Sequence, residues 1–423
     1  MPRRLMLTIK IPVPSRLNNI ATKLNRASRR IYNKTLSVVR KIYQKKGFWP
    51  SQNTAQKYIL RWAVNIPLHT HSKQAMVQQY FNALKGYFAG RKENSDVKPP
   101  YRTKKYMPTI WKANAIHVKN NKLVLSNGRS NQPFIVPLPN VLVEKLQHTS
   151  IKLAKLVWGD RNQRYYIHLS VEVDGRSLES NDKVVAVDLG VIHPIAAFDG
   201  KEVEIWNGGI LNSKLQYRQK RLADLNRAIS KARKGSRKYK KLLRAKRRIL
   251  GKLVNQINDI LHKTTSNFIK WVLEKGASVI VMGDVTGIRN RAKYNKKANQ
   301  KIHGWIFRRI ANLIEYKAAL AGIKIKYISE EYTSQTCPVC GHKYKPSDRN
   351  FRCPVCSFKY HRDGVGAINI YKKYTGCGLV VAGLAPAVGV WKVQYLPWIY
   401  TFCDQLFDDQ FDSSCFSNLS WPS

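Results

Sequence analysis

Cys-Pro-Val-Cys occupies residues 337–340 and returns at 353–356, with twelve residues between the two copies. Two CxxC pairs are the ligand set of a structural zinc ribbon: each pair presents two thiolates on one knuckle, and the intervening residues are long enough for a β-hairpin that brings the knuckles together. The ligands would be Cys337, Cys340, Cys353 and Cys356. Four thiolates leave no open position on the metal, so such a site stiffens the chain and performs no chemistry itself. The remaining cysteines, Cys377, Cys403 and Cys415, fall in no motif, so a disulfide framework is not expected and a reducing compartment fits. His361-Arg362-Asp363 follows the second pair closely. A carboxylate this near a knuckle suggests a ribbon inserted beside an active site. His361 is read as a support for that site or a DNA-facing group, because the cysteines already saturate the zinc.

Charge narrows the partners. The 423 residues hold 75 Lys+Arg against 25 Asp+Glu, a formal charge of +50. Such an excess destabilises a compact chain by self-repulsion unless a polyanion neutralises it, and nucleic acid supplies affinity through counterion release. The excess is concentrated. From Leu211 to about Trp271 the pattern is helical, with Gly235-Ser236 as the turn of a helical hairpin, and Lys214–Lys252 carries seventeen bases and one acid, Asp224. Lys214, Arg218, Lys220, Arg221, Arg227, Lys231, Arg233, Lys234, Arg237, Lys238, Lys240, Lys241, Arg244, Lys246, Arg247 and Arg248 therefore read as a phosphate track. The N-terminus shows no signal-peptide pattern and no segment reaches about 18 uninterrupted apolar residues, so no membrane partner is expected and the chain reads as cytoplasmic or nucleoid-associated.

The patterning predicts an α/β multidomain protein. Residues 1–14 hold a first strand and 15–90 are helical, with a break near Pro67. Residues 91–180 turn to short strands, among them Val97–Tyr101, 115–118, 122–125, 134–138 and a hairpin over 152–173, which with the first strand would form a small β-barrel. An α/β domain is expected over 181–331, including the helical hairpin 211–271. The ribbon takes 332–360, the end of the α/β domain 361–374, with a short helix from about Gly366 to Lys373. Residues 375–423 form an acidic tail expected to be poorly ordered or accessory.

Hydrolysing a phosphodiester with two divalent metals requires three or four converging carboxylates, and hard oxygen ligands suit Mg²⁺. Lys183–Asp188 is a buried-type strand ending in a carboxylate beside Gly190, and Ser278–Met282 is another, followed by Gly283-Asp284. In open α/β sheets ligands bind at such strand ends.

Here the motifs carry a resemblance. Val-Ala-Val-Asp188-Leu-Gly, Val-Ile-Val-Met-Gly-Asp284, Tyr332-Thr-Ser-Gln-Thr-Cys337-Pro-Val-Cys-Gly and His361-Arg-Asp363-Gly-Val-Gly-Ala-Ile-Asn369-Ile resemble TnpB, also called OrfB, from about residue 181 to 371. TnpB is a family of transposon-encoded RNA-guided DNA endonucleases related to the type V CRISPR nucleases. The resemblance implies an RNase H-like (RuvC) nuclease domain with an inserted zinc ribbon, preceded by a wedge β-barrel that a helical recognition domain interrupts. It implies a guide RNA derived from the transposon end and a double-stranded target DNA cut next to a short flanking motif. A partner transposase encoded by the same element is a further expected partner. The implied cofactors are one structural Zn²⁺ and catalytic Mg²⁺, two ions, held by Asp188, Asp363 and a third carboxylate.

That third carboxylate is where the chain departs from its relatives. Many members have Glu-Asp-Leu where this chain has Gly283-Asp284-Val285. Asp284 is a poor substitute, since one step along a strand turns the side chain to the opposite face. Glu330 and Glu331 follow the strand Ile323–Ile328, which in an RNase H-like sheet would neighbour the strand ending at Gly283. Glu330 is the expected replacement and Glu331 the second choice; strand alternation does not decide between them. Two alternatives stay open: an RNA-guided DNA-binding regulator without nuclease activity, and a transposase acting directly on transposon ends.

Overall fold

The computed structural model describes residues 4–376, apart from 104, 130, 148, 160–162, 176–180, 285–305 and 347. The expected tail lies outside the described residues from 377 on, as do Cys377, Cys403 and Cys415. The chain divides into two compact units, one over Arg4–Asp174 and the other from Gly175 on.

In the first unit β1 (Arg4–Pro12) leads into α1 (Asn18–Lys46), α2 (Gln52–Trp62) and α3 (Thr70–Glu93). Ser51 caps α2 by accepting from the Thr54 amide, and Gly47 ends α1 in the left-handed conformation at φ 73°. The apolar stripe of α1, including Ala21, Leu24, Ile31, Leu36 and Val39, is buried. Two antiparallel sheets follow. One has the order β1-β7-β6-β2, with β2 at Thr109–Lys112, β6 at Ser150–Gly159 and β7 at Arg164–Asp174; the other is β3-β4-β5, at Ile116–Lys119, Lys122–Leu125 and Phe134–Pro137. The single barrel expected from the strand pattern is thus divided between two sheets, and neither ladder closes on itself among the described residues. The strand expected at Val97–Tyr101 does not form, because Pro99 and Pro100 bring no N–H to a ladder. A helix the pattern did not suggest, α4 (Asn140–Gln147), precedes β6.

The second unit is built on a five-stranded sheet of order β10-β9-β8-β11-β12. β8 (Val184–Asp188), β11 (Val279–Gly283) and β12 (Lys324–Ile328) run parallel, while β9 (Ile195–Phe198) is antiparallel to both β8 and β10 (Val203–Trp206). Two long helices, α5 (Gly209–Ser230) and α6 (Arg237–Glu274), pack as a hairpin; Ser236 caps α6 and Gly235 turns the chain at φ 87°. α7 (Phe307–Ala321) ends in Gly322 and leads into β12. The ribbon hairpin pairs β13 (Asn350–Arg352) with β14 (Lys359–His361). α8 (Arg362–Thr375) then crosses the sheet, with Ile370 packed among Val184, Ala186 and Val281. This helix starts four residues before the expected Gly366. His361 is its cap, its Nδ1 accepting from the Asp363 amide at 3.2 Å, so Asp363 stands in the first turn and not ahead of the helix. Among the described residues no helix is long and apolar enough to cross a membrane.

Candidate active site and metal centre

Val184 to Val187 are buried on both faces of the central strand, and the chain first emerges at Asp188, on the carboxyl edge of the sheet. Parallel pairing brings the ends of β11 and β12 to the same edge, with Gly283 opposite Ile328. Two residues beyond β12 stands Glu330. A Cβ added at Gly283 would lie 2.9 Å from Glu330 Oε2 and 3.1 Å from Glu330 Cβ, so Glu330 lies over Gly283. Thr333 holds this turn, donating from both Oγ1 (2.8 Å) and its amide (3.2 Å) to the Glu330 carbonyl. Glu331, by contrast, is exposed, and so is Asp284.

α8 supplies the third carboxylate. It runs against β8 at Gly366, where a Cβ would lie 2.3 Å from Asp188 Oδ2 and 3.0 Å from Asp188 Cγ. Asp363, three residues earlier, is buried at 8% exposure. Arg349, next to β13 of the ribbon, donates from Nη1 to both Asp363 oxygens at 2.8 and 3.1 Å. His193, in the turn after β8, bonds Asp363 Oδ2 through Nδ1 at 2.8 Å. His193, His361 and Asp363 each offer a ligand atom within 4.8 Å of the others. Neither Arg349 nor His193 was singled out from sequence. One is among 75 bases and the other lies in a turn, and no local spacing marks either.

The electrostatics divide the carboxylates. Burial, then the neighbouring Glu330 and Asp363 carboxylates, push Asp188 up to about 8, against the pull of Arg362. Burial would raise Asp363 too, but the His193 bond and the Arg349 guanidinium outweigh it and hold the group below its ordinary value. Burial holds His361 down to about 4, so this imidazole is neutral at neutral pH. Asp188 is thus crowded by like charge, a situation that a divalent cation relieves. The sign for stability follows. The native state keeps a proton on Asp188 between about pH 4 and 8 that the unfolded chain has lost, so in metal-free buffer stability falls as pH rises across that window. Asp188→Asn is therefore expected to raise Tm by about 2–5 °C at pH 8 in chelator and by much less at pH 4. Equal Tm values at pH 8, by differential scanning calorimetry, would contradict the crowding.

The four ribbon cysteines also converge. Cys337 Sγ lies 3.5 Å from Cys356 Sγ, Cys340 Sγ lies 3.4 Å from Cys353 Sγ, and ligand atoms from all four fall within 4.8 Å of one another. Each knuckle repeats one pattern, with Gly341 N donating to Cys337 O at 3.0 Å and Ser357 N to Cys353 O at 3.1 Å. Both turns take positive φ, 74° at Gly341 and 57° at Ser357. Burial pushes Cys337 up to about 12, whereas the backbone N–H groups of Cys356 and Val355 outweigh burial at Cys353 and bring it to about 6. The set suits one tetrahedral zinc. Asn369 of α8 fastens the ribbon entry, its Nδ2 donating to the Thr333 and Thr336 carbonyls, both at 2.7 Å.

The basic residues of 214–248 lie along α5, α6 and their connection, and each is exposed or half-buried. The described ion pair in this stretch is Arg221–Asp224, at 3.8 Å.

An α/β multidomain architecture with a four-cysteine module beside clustered carboxylates defines the class. The comparisons place it among known proteins. A family model described as the Cas12f1-like TNB domain matches residues 307–370, and one described as a probable transposase (OrfB, IS605 type) matches 167–289. A CRISPR-associated endodeoxyribonuclease Cas12f2 of a Micrarchaeota archaeon is 31% identical over 228 residues, 49% of this chain and 40% of that protein. A TnpB-like protein of Methanocaldococcus jannaschii is 31% identical over 145 residues, 34% of this chain and 52% of that protein. The chain thus spans about half the length of these curated relatives. A solved Cas12f1–sgRNA–target DNA complex shares the fold at TM-score 0.61 with 13% identity, covering 87% of this chain and 98% of that one. Across the matched regions the chain is related to the TnpB-like and Cas12f proteins, the resemblance that its Asp188, Cys-Pro-Val-Cys and His361–Ile370 motifs carry.

Proposed function

We propose that this chain is an RNA-guided, metal-dependent DNA endonuclease of an insertion-sequence transposon, cutting target DNA beside a short flanking motif. The observation that supports it most is the gathering of Asp188, Glu330 and Asp363 at one edge of the sheet. The strand order β10-β9-β8-β11-β12, with β9 antiparallel to its neighbours, supports reading the second unit as an RNase H-like (RuvC) domain. On this reading β1 and the sheets of 91–180 form the wedge, α1–α3 the recognition domain within it, and residues 332–360 the ribbon inserted in the nuclease. RNA guidance, DNA cleavage and transposon origin come from the relatives' names and are proposals for this chain, as is a partner transposase.

The donor sets fit the expected ions. Three clustered carboxyl groups, with Asp188 raised by burial and then by its like-charged neighbours, suit Mg²⁺, which would favour their ionised forms, and four thiols suit Zn²⁺. Bound Mg²⁺ ions would make water a better nucleophile and offset the charge that develops on the leaving oxygen. The chain's own groups set the geometry for this. Asp188 and Asp363 approach from strand and helix, and Glu330 reaches in from the strand beside Gly283. Arg349 and His193 fix the orientation of the Asp363 carboxylate. Lys and Arg of α5 and α6 hold phosphates along the exposed hairpin. Base pairing would carry the sequence specificity while the protein grips backbone shape.

The test is the RNA that copurifies with the protein. A discrete species with a variable 3′ segment, together with plasmid cleavage matched to that segment in Mg²⁺ and lost in EDTA, is expected. Absence of bound RNA would count against the reading. Guided binding without cutting would favour a regulator, and joining of transposon ends without RNA a direct transposase. A further expectation concerns Gly366→Ala, whose new methyl would displace the Asp188 carboxylate. Cleavage should fall roughly 100-fold while circular dichroism is unchanged, because displacement of about 1 Å is costly in such sites. Full activity in Gly366→Ala would remove Asp188 from the proposed ligand set.

A further inference from the structure

The first unit holds a groove that cleavage and the basic hairpin leave unused. It lies between α3, Tyr32 of α1 and the segment 97–105, with a volume of about 720 Å³, within the usual range for small-ligand sites. Its walls are tyrosine and proline, its rim carries Lys98, Arg102 and Lys105, and no acid is among its described lining residues.

The groove is built, although residues 97–103 form no helix or strand. Asn33 of α1 exchanges two hydrogen bonds with Thr103, donating from Nδ2 to the carbonyl at 3.1 Å and accepting from the amide on Oδ1 at 3.0 Å. Arg40 donates to the Pro100 carbonyl, and the Met107 amide to the Asn25 carbonyl at 3.3 Å. Two residues then stand out. Tyr101 is 79% exposed on this pinned backbone, which is unusual for so large an aromatic. Gly86 lies in the interior of α3, where glycine is among the least favourable residues, yet a Cβ there would meet nothing within 4 Å. Packing inside the chain gives no reason for a glycine at this point, whereas a flat body lying in the groove does.

We propose that the groove takes one unstacked nucleotide of a single-stranded RNA. The base lies over Gly86 against Tyr101, and its phosphate meets Lys98, Arg102 and Lys105. Aromatic walls with a cationic rim match a base and its phosphate together, by stacking, cation–π attraction and charge. RNA is the source because its loops and bulges offer unpaired bases, which duplex DNA offers only after unpairing. The proposal rests on the reading that this chain binds RNA, and adds a contact separate from the carboxylates and from α5–α6.

Full-length protein freed of nucleic acid is irradiated with a dodecamer RNA containing 4-thiouridine, and the crosslinked peptides are mapped by mass spectrometry. A crosslink on the peptide containing Tyr101 is expected. Tyr101→Ala and, separately, Gly86→Leu should each lower its yield by roughly five-fold or more. Both positions are exposed, so circular dichroism should show the fold unchanged. Crosslinks confined to residues 214–252 and indifferent to both substitutions would overturn the groove and leave the basic hairpin's role intact. An equal yield from a 4-thiothymidine DNA dodecamer would overturn the choice of RNA. No crosslink anywhere would overturn the groove and RNA binding together. The expected crosslink in a protein that does not cut DNA would support the groove and sink only the endonuclease.

Discussion

Glu330→Ala is expected to lower Mg²⁺-dependent cleavage of target DNA by roughly 10²–10³-fold or more, and Glu331→Ala to leave it within about two-fold. The two glutamates are adjacent and both follow β12; the sequence reading made Glu330 the first choice and Glu331 the second, although strand alternation did not separate them. Their surroundings differ. Glu330 is half-buried over Gly283 and raises the Asp188 carboxyl by its charge, whereas Glu331 is exposed. A companion experiment moves the carboxylate back. Gly283→Glu paired with Glu330→Gly empties the space above β11 and returns a carboxylate to the end of that strand, and is expected to recover part of the lost activity. Gly283→Glu alone should be inactive, because its Cβ would stand 2.9 Å from Glu330 Oε2. Plasmid cleavage with a matched guide reads all four variants. Equal loss in Glu330→Ala and Glu331→Ala would place both side chains outside the specific role, and undiminished cutting by both would end the assignment.

The second large effect is expected at the ribbon. Cys353→Ser should reduce bound zinc from one equivalent to nearly none, measured by atomic emission, because zinc binding to such four-ligand sets carries about 10–16 kcal/mol of apparent free energy. The loss should reach the carboxylates. Arg349, which holds Asp363 at 2.8 Å, and the Arg349 carbonyl, which accepts from the Arg362 amide at 2.8 Å, both belong to the segment between the knuckles. Without zinc that segment loses its frame, so cleavage should fall by more than about 100-fold while the five-stranded sheet persists by circular dichroism. An intact cleavage rate with zinc absent would show that the ribbon does not position Asp363.

Much of the second unit was legible because its signals are local. Lys183–Asp188 and Ser278–Met282 read as buried strands from continuous apolar runs, within one residue of the observed Val184–Asp188 and Val279–Gly283, and the hairpin of α5 and α6 from period and turn chemistry. The first unit was less legible. Thr109–Lys112 is too short to show alternation, and α4 was hidden between strand signals. Val97–Tyr101 reads as extended from its composition, yet its two prolines lack the N–H groups that a ladder needs. The start of α8 was missed because His361, seldom a strong cap, accepts the Asp363 amide through its ring nitrogen.

By itself the amino-acid sequence determined the four-thiol set, the excess of positive charge along residues 214–252 and the strands that end in Asp188 and Gly283. Each of these depends on neighbours close along the chain, whose spacing is set by covalent geometry and helix or strand period. Only the tertiary structure decided that Glu330 rather than Glu331 lies over Gly283, that Gly366 presses α8 onto Asp188, and that His193 and Arg349 hold Asp363. These contacts join residues as far apart in the chain as Asp188 and Gly366, so sheet order and helix packing place them and no local pattern records them.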